Sequence, residues 1–413
     1  EIEMTKIYIA GVAMTKMGRL DGATVKSLTC EAVDGAMADA GIGKDDIQAA
    51  YYANTTQRHL EAQLMIPGQI TLREMGFEGI PMVNVENACA SGSTALNLAA
   101  QFLKAGEGDV ALAVGAEKMW TGDKAKMFSF FDGAWDVSTV EENTEKLMAL
   151  GKGIDVPNDT TSDKPFSVFM AIYGAFGLAH MRTFGTTQKQ IAAIAAKNHM
   201  HSVENEKAQF RAPYTVDEIL SAPPITYPLT LPMCAPMSDG GAAAVLMTEA
   251  GLKKFGISRD RAIEVRASVI QTGSNRAPED YENHLTAIAA RRAYEIAGIG
   301  PQDVSVAEVH DATAVGELIQ IENLGLFPFG EGGAASERGD TSIGGRVPVN
   351  PSGGLECKGH PIGATGLGQV YELVSQLRGE CGPRQVEGAR IAIAENGGGL
   401  IGIEEAVASI LIL

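Results

Sequence analysis

Basic residues are scarce in this chain: 33 lysines and arginines face 51 aspartates and glutamates, a formal net charge of −18 over 413 residues. Without a basic tract, the electrostatic term that drives non-specific nucleic-acid binding is missing, and that class of function is excluded. An anionic ligand then needs a locally basic or amide-lined site. Cysteine is equally sparse. Cys30, Cys89, Cys234, Cys357 and Cys381 are odd in number and far apart. That spacing excludes a disulfide framework and a Cys/His zinc cluster, and it fits a reducing compartment. No apolar run reaches roughly 18 residues, so no bilayer-spanning helix is expected. The opening EIEMTKIYIAG lacks a basic-then-apolar leader, and the expected setting is the cytoplasm. Aromatic residues make up only 6% against 45% hydrophobic overall, an ordinary globular balance in a chain long enough for two or three cores.

Glycine, by contrast, is plentiful. The 48 glycines fall largely in clusters, which signals tight turns and close backbone approaches. Residues 6–12 (KIYIAGV) read as a first strand, and TVKSLTCEAVDGAMADAGIG as an amphipathic helix that Gly41 ends. DVALAVGA at 109–116 reads as a buried strand. The stretch AMADAGIGKDDIQAAYYAN from Ala36 returns without a gap as AYEIAGIGPQDVSVAEVHD from Ala293. RIAIAENGGG resembles DVALAVGAEK in the same way. The chain therefore reads as two related α/β halves, 1–255 and 256–413, a large-scale duplication rather than a solenoid. A different segment, about 117–235, interrupts the first half, and such insertions carry substrate contacts. The glycine-rich 330–345 stretch is expected to be a loop.

Four stretches can carry chemistry. In NVENACASGSTALNL, Cys89 precedes a helical stripe of Ala95, Leu96, Leu98, Ala99 and Phe102. It is either small buried filler or a nucleophile. At a helix N-terminus the free amides favour thiolate, and a drop of about two units from a pKa near 8.5 would make that form dominant. NPSGGLECKGHPIGATG holds His360 in a rigid Gly/Pro framework. EVHDATAVGEL places His310 and Asp311 at the end of the repeated strand, and AENGGGLIG offers amides to a ligand. A thiol, two imidazoles and a glycine amide loop are what acyl transfer through a thioester requires.

ENACASGSTAL, NPSGGLECKGHPIGATG and the terminal GGG loop resemble the three signature blocks of the thiolase family. The likeness is to the sterol-carrier-protein type, whose third block is His-Asp based; here it reads His310-Asp311-Ala312. The resemblance runs over essentially the whole chain. It implies a five-layer αβαβα thiolase fold, at least dimeric, with coenzyme A as co-substrate and no resident cofactor or metal. It implies Cys89 as the nucleophile that takes the acyl group, and His360 as the base that activates it. His360 would also help hold the thioester oxygen of the second acyl-CoA, and His310 would sit where a donor, directly or through water, completes that enolate oxyanion site. The amides of Cys89 and Gly398 would form the other hole.

The chain also departs from the pattern. Most thiolases carry a second cysteine in a Cys-x-Gly block, where this chain has Glu395-Asn396-Gly397. Some relatives carry it after the His-Asp pair, where this chain has Ala312 and Thr313. Glu395 either performs that proton transfer with a pKa raised by burial, or merely hydrogen-bonds a loop. Cys357 is an alternative thiol, while Cys30, Cys234 and Cys381 read as core or surface. His199 and His201 read as surface or structural, Tyr173 and Phe176 as core, and His180 as a residue that could approach the ligand. Arg182, Lys189, Lys197 and Arg211 are candidates for the coenzyme A phosphates.

The expected activity is thiolytic cleavage of a 3-oxoacyl-CoA, with a branched or aromatic acyl group in view. The alternatives are a retro-aldolase or C-acyltransferase beside a small OB-fold, zinc-ribbon subunit, or a non-catalytic acyl-CoA or lipid-binding subunit.

Overall fold

The computed structural model describes residues 5–413; residues 1–4 of the opening segment lie outside it. The strands of the first half are β1 (Ile7–Met14), β2 (Ala49–Ala53), β3 (Met82–Val85) and β4 (Val110–Glu117). A small hairpin of β5 (Pro224–Thr226) and β6 (Leu229–Thr230) follows, then β7 (Gly240–Thr248) and β8 (Ile263–Glu264). The remainder are β9 (Ala267–Thr272), β10 (Val306–Glu308), β11 (Ala392–Gly398) and β12 (Val407–Ile412).

Two sheets result, ordered β3-β2-β4-β7-β1-β8 and β10-β11-β12-β9. Within the first, β2 runs parallel to β4, while β7 is antiparallel to both β4 and β1. The second repeats this pattern: β10 is parallel to β11, and β12 is antiparallel to both β11 and β9. The duplication is thus visible in topology as well as in sequence. It extends to local geometry. Gly41 and Gly298 end their helices in the left-handed region, at φ 70° and 68°. Asp46 and Asp303 then accept from the Gly43 and Gly300 amides at 2.9 and 2.8 Å.

β4 and β7 are buried along their whole length, as strands covered on both faces must be, and their continuous Ala/Val/Leu runs suit that position. Helices Ser91–Lys104 and Thr365–Arg378 lie between the sheets. Leu96, Ala99 and Leu103 of one and Leu367, Val370 and Val374 of the other share a core with β1, β4, β7, β11 and β12. Helix Val25–Ala40 covers the outer face of the first sheet and Leu285–Ala297 that of the second. The order is helix, sheet, helix, sheet, helix: the five-layer αβαβα arrangement.

The two inner helices begin close together. A methyl group on Gly92 would sit 2.7 Å from the Gly363 carbonyl, so the crossing tolerates no side chain there. Cys89 precedes one helix and His360 the other, and this approach brings the two loops into one place. Between Glu117 and Gly240 the chain leaves the first sheet. It forms helices Lys124–Ser129, Val140–Ala149, Val168–Phe184, Gln188–Ser202 and Val216–Ser221 with the small hairpin. Ile191, Ile194 and Leu229 of this excursion pack on Ala314, Val315 and Leu318 of the C-terminal half.

The 330–345 stretch is not all loop. Gly332–Glu337 is helical, because Glu322 accepts from the Gly332 amide at 2.9 Å and Ala335 is buried. Tertiary packing here overrides glycine's low helix propensity.

Candidate active site

Cys89 sits on a tight turn between β3 and the helix that starts at Ser91. Ala88 before it has φ +49°, a left-handed conformation that costs an alanine about 1–2 kcal/mol. The turn is held by Ser91, whose hydroxyl accepts from the Asn87 amide at 2.7 Å and donates to the Ala88 carbonyl at 2.6 Å. Gly398, at the end of β11, lies against this turn: a methyl group there would fall 2.6 Å from Asn87 O and 3.0 Å from Cys89 N. The Gly398 backbone therefore reaches the Cys89 amide, and both residues line the same cavity.

The Cys89 sulfur and one ring nitrogen each of His310 and His360 lie within 4.8 Å of one another. His360 Nδ1 is 2.6 Å from the Thr365 hydroxyl, which is 3.2 Å from the Pro361 carbonyl. A carbonyl can only accept, so Thr365 donates to it and receives the Nδ1 proton of His360. That leaves the Nε2 lone pair of His360 toward the cavity, 3.5 Å from His310 Nε2. The His360 amide donates to Ser238 at 2.9 Å, fixing the loop. Glu117 secures the same loop from the first sheet. It accepts from the amides of Thr55 (2.6 Å), Thr56 (3.0 Å) and Gly363 (3.0 Å).

The electrostatics correct one expectation. Cys89 touches the cavity but lies deep beneath the molecular surface, and that depth, with the Glu117 carboxylate as the next cause, pushes its thiol up to about 12. Burial outweighs the helix N-terminus, so the resting form is a thiol and not a thiolate. Burial also lowers His310 to about 4 and, with His310 and Lys358 adding, holds His360 well below the usual imidazole range. The resting set is neutral: a thiol beside an imidazole whose Nε2 lone pair, which meets only the long contact to His310, can take its proton. The three donors are also close enough to grip a thiophilic metal. Neither imidazole, however, has the carboxylate or carbonyl partner that orients metal-bound histidines: Nδ1 of His360 meets a hydroxyl and Nδ1 of His310 has no partner. A second acidic cluster, Asp311, Glu317 and Glu356, is tied up internally by Asn198, Lys197 and the Leu355 amide.

Asp311 faces away from the cavity and holds the start of helix Gly354–Lys358 through Leu355 N at 2.7 Å. For Glu395, where proton transfer and a loop hydrogen bond both stood open, the structure shows a hydrogen bond to a loop. Its carboxylate accepts from the His310 amide at 2.9 Å, and it is not among the residues that line the cavity. It positions the His310 loop, while burial and the neighbouring Glu405 hold its carboxyl well above the usual range. Cys357 is fully buried and off the cavity.

Family-model comparison matches residues 7–220 to the thiolase N-terminal domain and 267–412 to the thiolase C-terminal domain-like model. The chain belongs to the thiolase family. Among curated relatives, sterol carrier protein 2 of Oryctolagus cuniculus is 36% identical over 405 residues, spanning 95% of this chain and 70% of that protein. Acetyl-CoA acetyltransferase of Methanothermobacter thermautotrophicus is 34% identical over 96% of this chain and 97% of its own length. Benzoylsuccinyl-CoA thiolase subunit BbsB of Thauera aromatica is 33% identical over 95% of each. Among solved structures, the Ltp2-ChsH2(DUF35) aldolase superposes with a TM-score of 0.74 at 19% identity, covering 98% of this chain and 97% of that one; this is a likeness of fold.

In this thiolase-family chain the cavity above Cys89 measures about 910 Å³ and is mostly apolar, with Trp120, Phe128, Phe130, Phe131, Phe166 and Phe169 on its walls. Tyr173 and Phe176, read from sequence as core, line it as well. The four cations proposed for phosphate contacts do not. Lys197 is buried against Glu317, Lys189 pairs with Glu337, Arg211 bonds the Val203 carbonyl, and Arg182 holds the carbonyls of Leu150 and Lys152. Lys124 and Lys164 are the cationic residues on the cavity wall. His180 is buried between Thr186 and Glu322. His199 and His201 are buried too, bonding the carbonyls of Pro232 and Asn350.

Two further titratable residues on the cavity wall were not singled out from the sequence. Cys234, read as core or surface, is one, and Glu405 another, a carboxylate in GIEEAVASI two residues before the fully buried strand β12. That junction of charge and buried strand is the signal that could have found it. No helix among the described residues is long and apolar enough to cross a membrane.

Proposed function

We propose that this chain is a thiolase-type acyltransferase that cleaves a 3-oxoacyl-CoA with coenzyme A and acts on a bulky apolar or aromatic acyl group. The observation that carries this reading is the convergence of Cys89, His310 and His360 at a large cavity walled by aromatic side chains. The Cys89 thiol gives its proton to His360 Nε2, and the sulfur attacks the 3-keto carbon. The Cys89 amide and the Gly398 backbone receive the oxyanion, and such a donor is worth about 2.7–4 kcal/mol. As the C2–C3 bond breaks, the enolate oxygen is met by His310 and His360. Coenzyme A then takes the acyl group from Cys89. Lys124 and Lys164 supply positive charge where its phosphates enter.

Coenzyme A is the co-substrate in this reading and no resident cofactor is needed. We place the protein in a reducing, cytoplasmic setting, which suits its five free thiols. We also propose a homodimer built on the edge strand β3 and the neighbouring exposed Leu64, Met65 and Ile66. A small OB-fold, zinc-ribbon subunit is proposed as a partner, since the Thauera aromatica relative is itself described as a subunit.

Intact-protein mass spectrometry after incubation with a panel of acyl-CoAs, with Cys89→Ala alongside, tests the reading. A mass gain confined to the parent supports it, and the size of the gain identifies the acyl group. No gain on either, with the fold verified, refutes it in favour of an aldolase or a binding subunit.

A further inference from the structure

The reaction needs a group that moves a proton on and off the α-carbon of the acyl-CoA, and neither usual second thiol is present at positions 395, 312 or 313. Cys234 lies on the cavity wall, but its Sγ–H is directed to the Thr230 carbonyl at 3.7 Å. Burial raises that thiol far from neutrality. Glu395 accepts from the His310 amide through one oxygen and leaves the other unpartnered, but it does not line the cavity. The remaining acidic side chain on the cavity is Glu405.

Its geometry is that of a built site. Glu405 follows the β11 glycine loop on a segment that Glu404 anchors, by a 2.6 Å ion pair to Arg276 and by accepting from the Leu285 amide at 3.3 Å. The Gln320 amide donates to Glu405 Oε1 at 2.8 Å and orients the carboxyl. Oε2, by contrast, makes no hydrogen bond; the nearest donor is His284 Nε2 at 3.6 Å, whose Nδ1 accepts from the Thr286 amide. A methyl group on Gly397 would sit 3.0 Å from Glu405 Cγ, so the glycine leaves the room the carboxyl occupies. Glu405 lines the reaction cavity, and a buried, oriented carboxyl with one oxygen short of a hydrogen bond is costly unless something uses it. Glu405 also lines a second cavity of about 210 Å³, shared with His284, Gln320 and Arg276. That cavity has room for several waters and gives the carboxyl a proton outlet apart from the substrate.

We propose that the Glu405 carboxyl is the acid/base that protonates and deprotonates the α-carbon, an assignment that rests on the acyl-transfer reading above. In cleavage, Glu405 gives its proton to the enolate carbon as the C2–C3 bond breaks, leaving a carboxylate while His360 holds the Cys89 proton. Coenzyme A then surrenders its thiol proton to that carboxylate, and its sulfur attacks the acyl thioester. The Cys89–acyl bond breaks, and the departing sulfur recovers its proton from His360. Both groups end as they began.

The surroundings allow this. Facing Glu405 are Cys89, Tyr173 of helix Val168–Phe184, Glu395, Glu404, Arg276, Gln320 and His284. Arg276 and Glu404 compensate each other, and burial holds His284 neutral, at about 3. Burial, opposed by the segment's own amide, raises Glu405 to about 7, so both protonation forms are populated near neutrality.

The test is solvent-deuterium exchange into the α-carbon of an acyl-CoA, followed by mass spectrometry beside the acylation of Cys89. Glu405→Gln keeps the oxygen that Gln320 contacts and removes the titrating group. Exchange is expected to fall by about 10²-fold or more. The Cys89 adduct is expected still to form but more slowly, because Glu405 also protonates the departing coenzyme A, and Glu405→Asp is expected to recover part of both. In the parent, exchange is expected to rise through pH about 7, and the variant is expected to lose that inflection. Glu405→Gln exchange within fivefold of the parent overturns the proposal even if Cys89 acylates normally, which leaves the acyl-transfer reading intact. Exchange that depends on Glu405 without any Cys89 adduct supports the proposal while the acyl-transfer reading falls. A parent that exchanges no α-hydrogen with any acyl-CoA of the panel overturns the proposal.

Discussion

Replacing Thr365 by valine tests whether His360 is held as a base by one hydroxyl. Valine keeps the branched shape of a fully buried side chain, so packing changes little. It deletes the acceptor that takes His360 Nδ1–H at 2.6 Å. The Pro361 carbonyl keeps the Ala364 amide at 2.8 Å, so no second vacancy opens. A buried N–H without a partner costs about 1–3 kcal/mol. The ring escapes that cost by moving its proton to Nε2, where it points at the cavity, and in that tautomer His360 cannot accept the Cys89 proton. Loss of a positioned general base is worth about 10²–10⁴ in rate. The expected result is acylation of Cys89 slowed by at least about 100-fold, with a small drop in thermal midpoint. Thr365→Ser should restore most of the rate. Rapid-quench mass spectrometry reads the acylation step directly. Acylation of the valine variant within threefold of the parent would refute the tautomer argument.

Gly398→Ala should destabilise the protein by about 1–3 kcal/mol and slow acylation at Cys89 far more than that loss explains, because the added methyl strikes backbone atoms of the turn at 2.6–3.0 Å. Urea unfolding and the acylation assay separate the two effects, and an unchanged acylation rate would show that the turn yields elsewhere. With its thiol at about 12, Cys89 should be alkylated by iodoacetamide at a rate that climbs roughly tenfold per pH unit between about pH 7 and 10. A plateau already present at neutral pH would reveal a resting thiolate–imidazolium pair and contradict the neutral site.

Much of this architecture could be read before the structure, and the reasons differ by residue. The repeat at Ala36 and Ala293 was legible because a left-handed glycine and a capping aspartate are local devices, and both recur in the same geometry. Cys89, His310 and His360 stood out because reactive side chains in glycine-framed loops have few structural uses. Tyr173 and Phe176 did not, since helical periodicity reports an apolar face and says nothing of whether a neighbour or a ligand covers it. The thiolate expectation runs against the burial of Cys89, because a helix N-terminus is visible in sequence, whereas depth below the surface belongs to the fold. Glu395 stood open between two roles for a related reason: its strand places it under the His310 amide, and only the pairing of β10 with β11 decides that. Glu405 sits beside a second glutamate in an unremarkable stretch, and the fold alone sends one to Arg276 and the other to the cavity.

The neutrality of the resting site bears on how such a cavity can work at all. An isolated charge held among phenylalanines would cost several kcal/mol, and a preformed ion pair beside Cys89 would carry that cost in every idle molecule. Here thiol and imidazole stay uncharged until a carbonyl arrives. Charge then appears where the Cys89 amide, Gly398 and His310 are already in place to receive it, so little reorganisation is needed at the moment of reaction. With Glu405 as the second proton carrier, the acyl-enzyme holds one imidazolium and one carboxylate, a net charge of zero inside the cavity. The incoming coenzyme A thiol discharges both in turn, through the carboxylate and then through the departing sulfur. A cysteine in the second role would have to be drawn down from an ordinary value near 8.5, whereas a buried carboxyl reaches the neutral range by desolvation alone. The same burial that makes Cys89 a poor resting thiolate makes Glu405 a suitable partner for it.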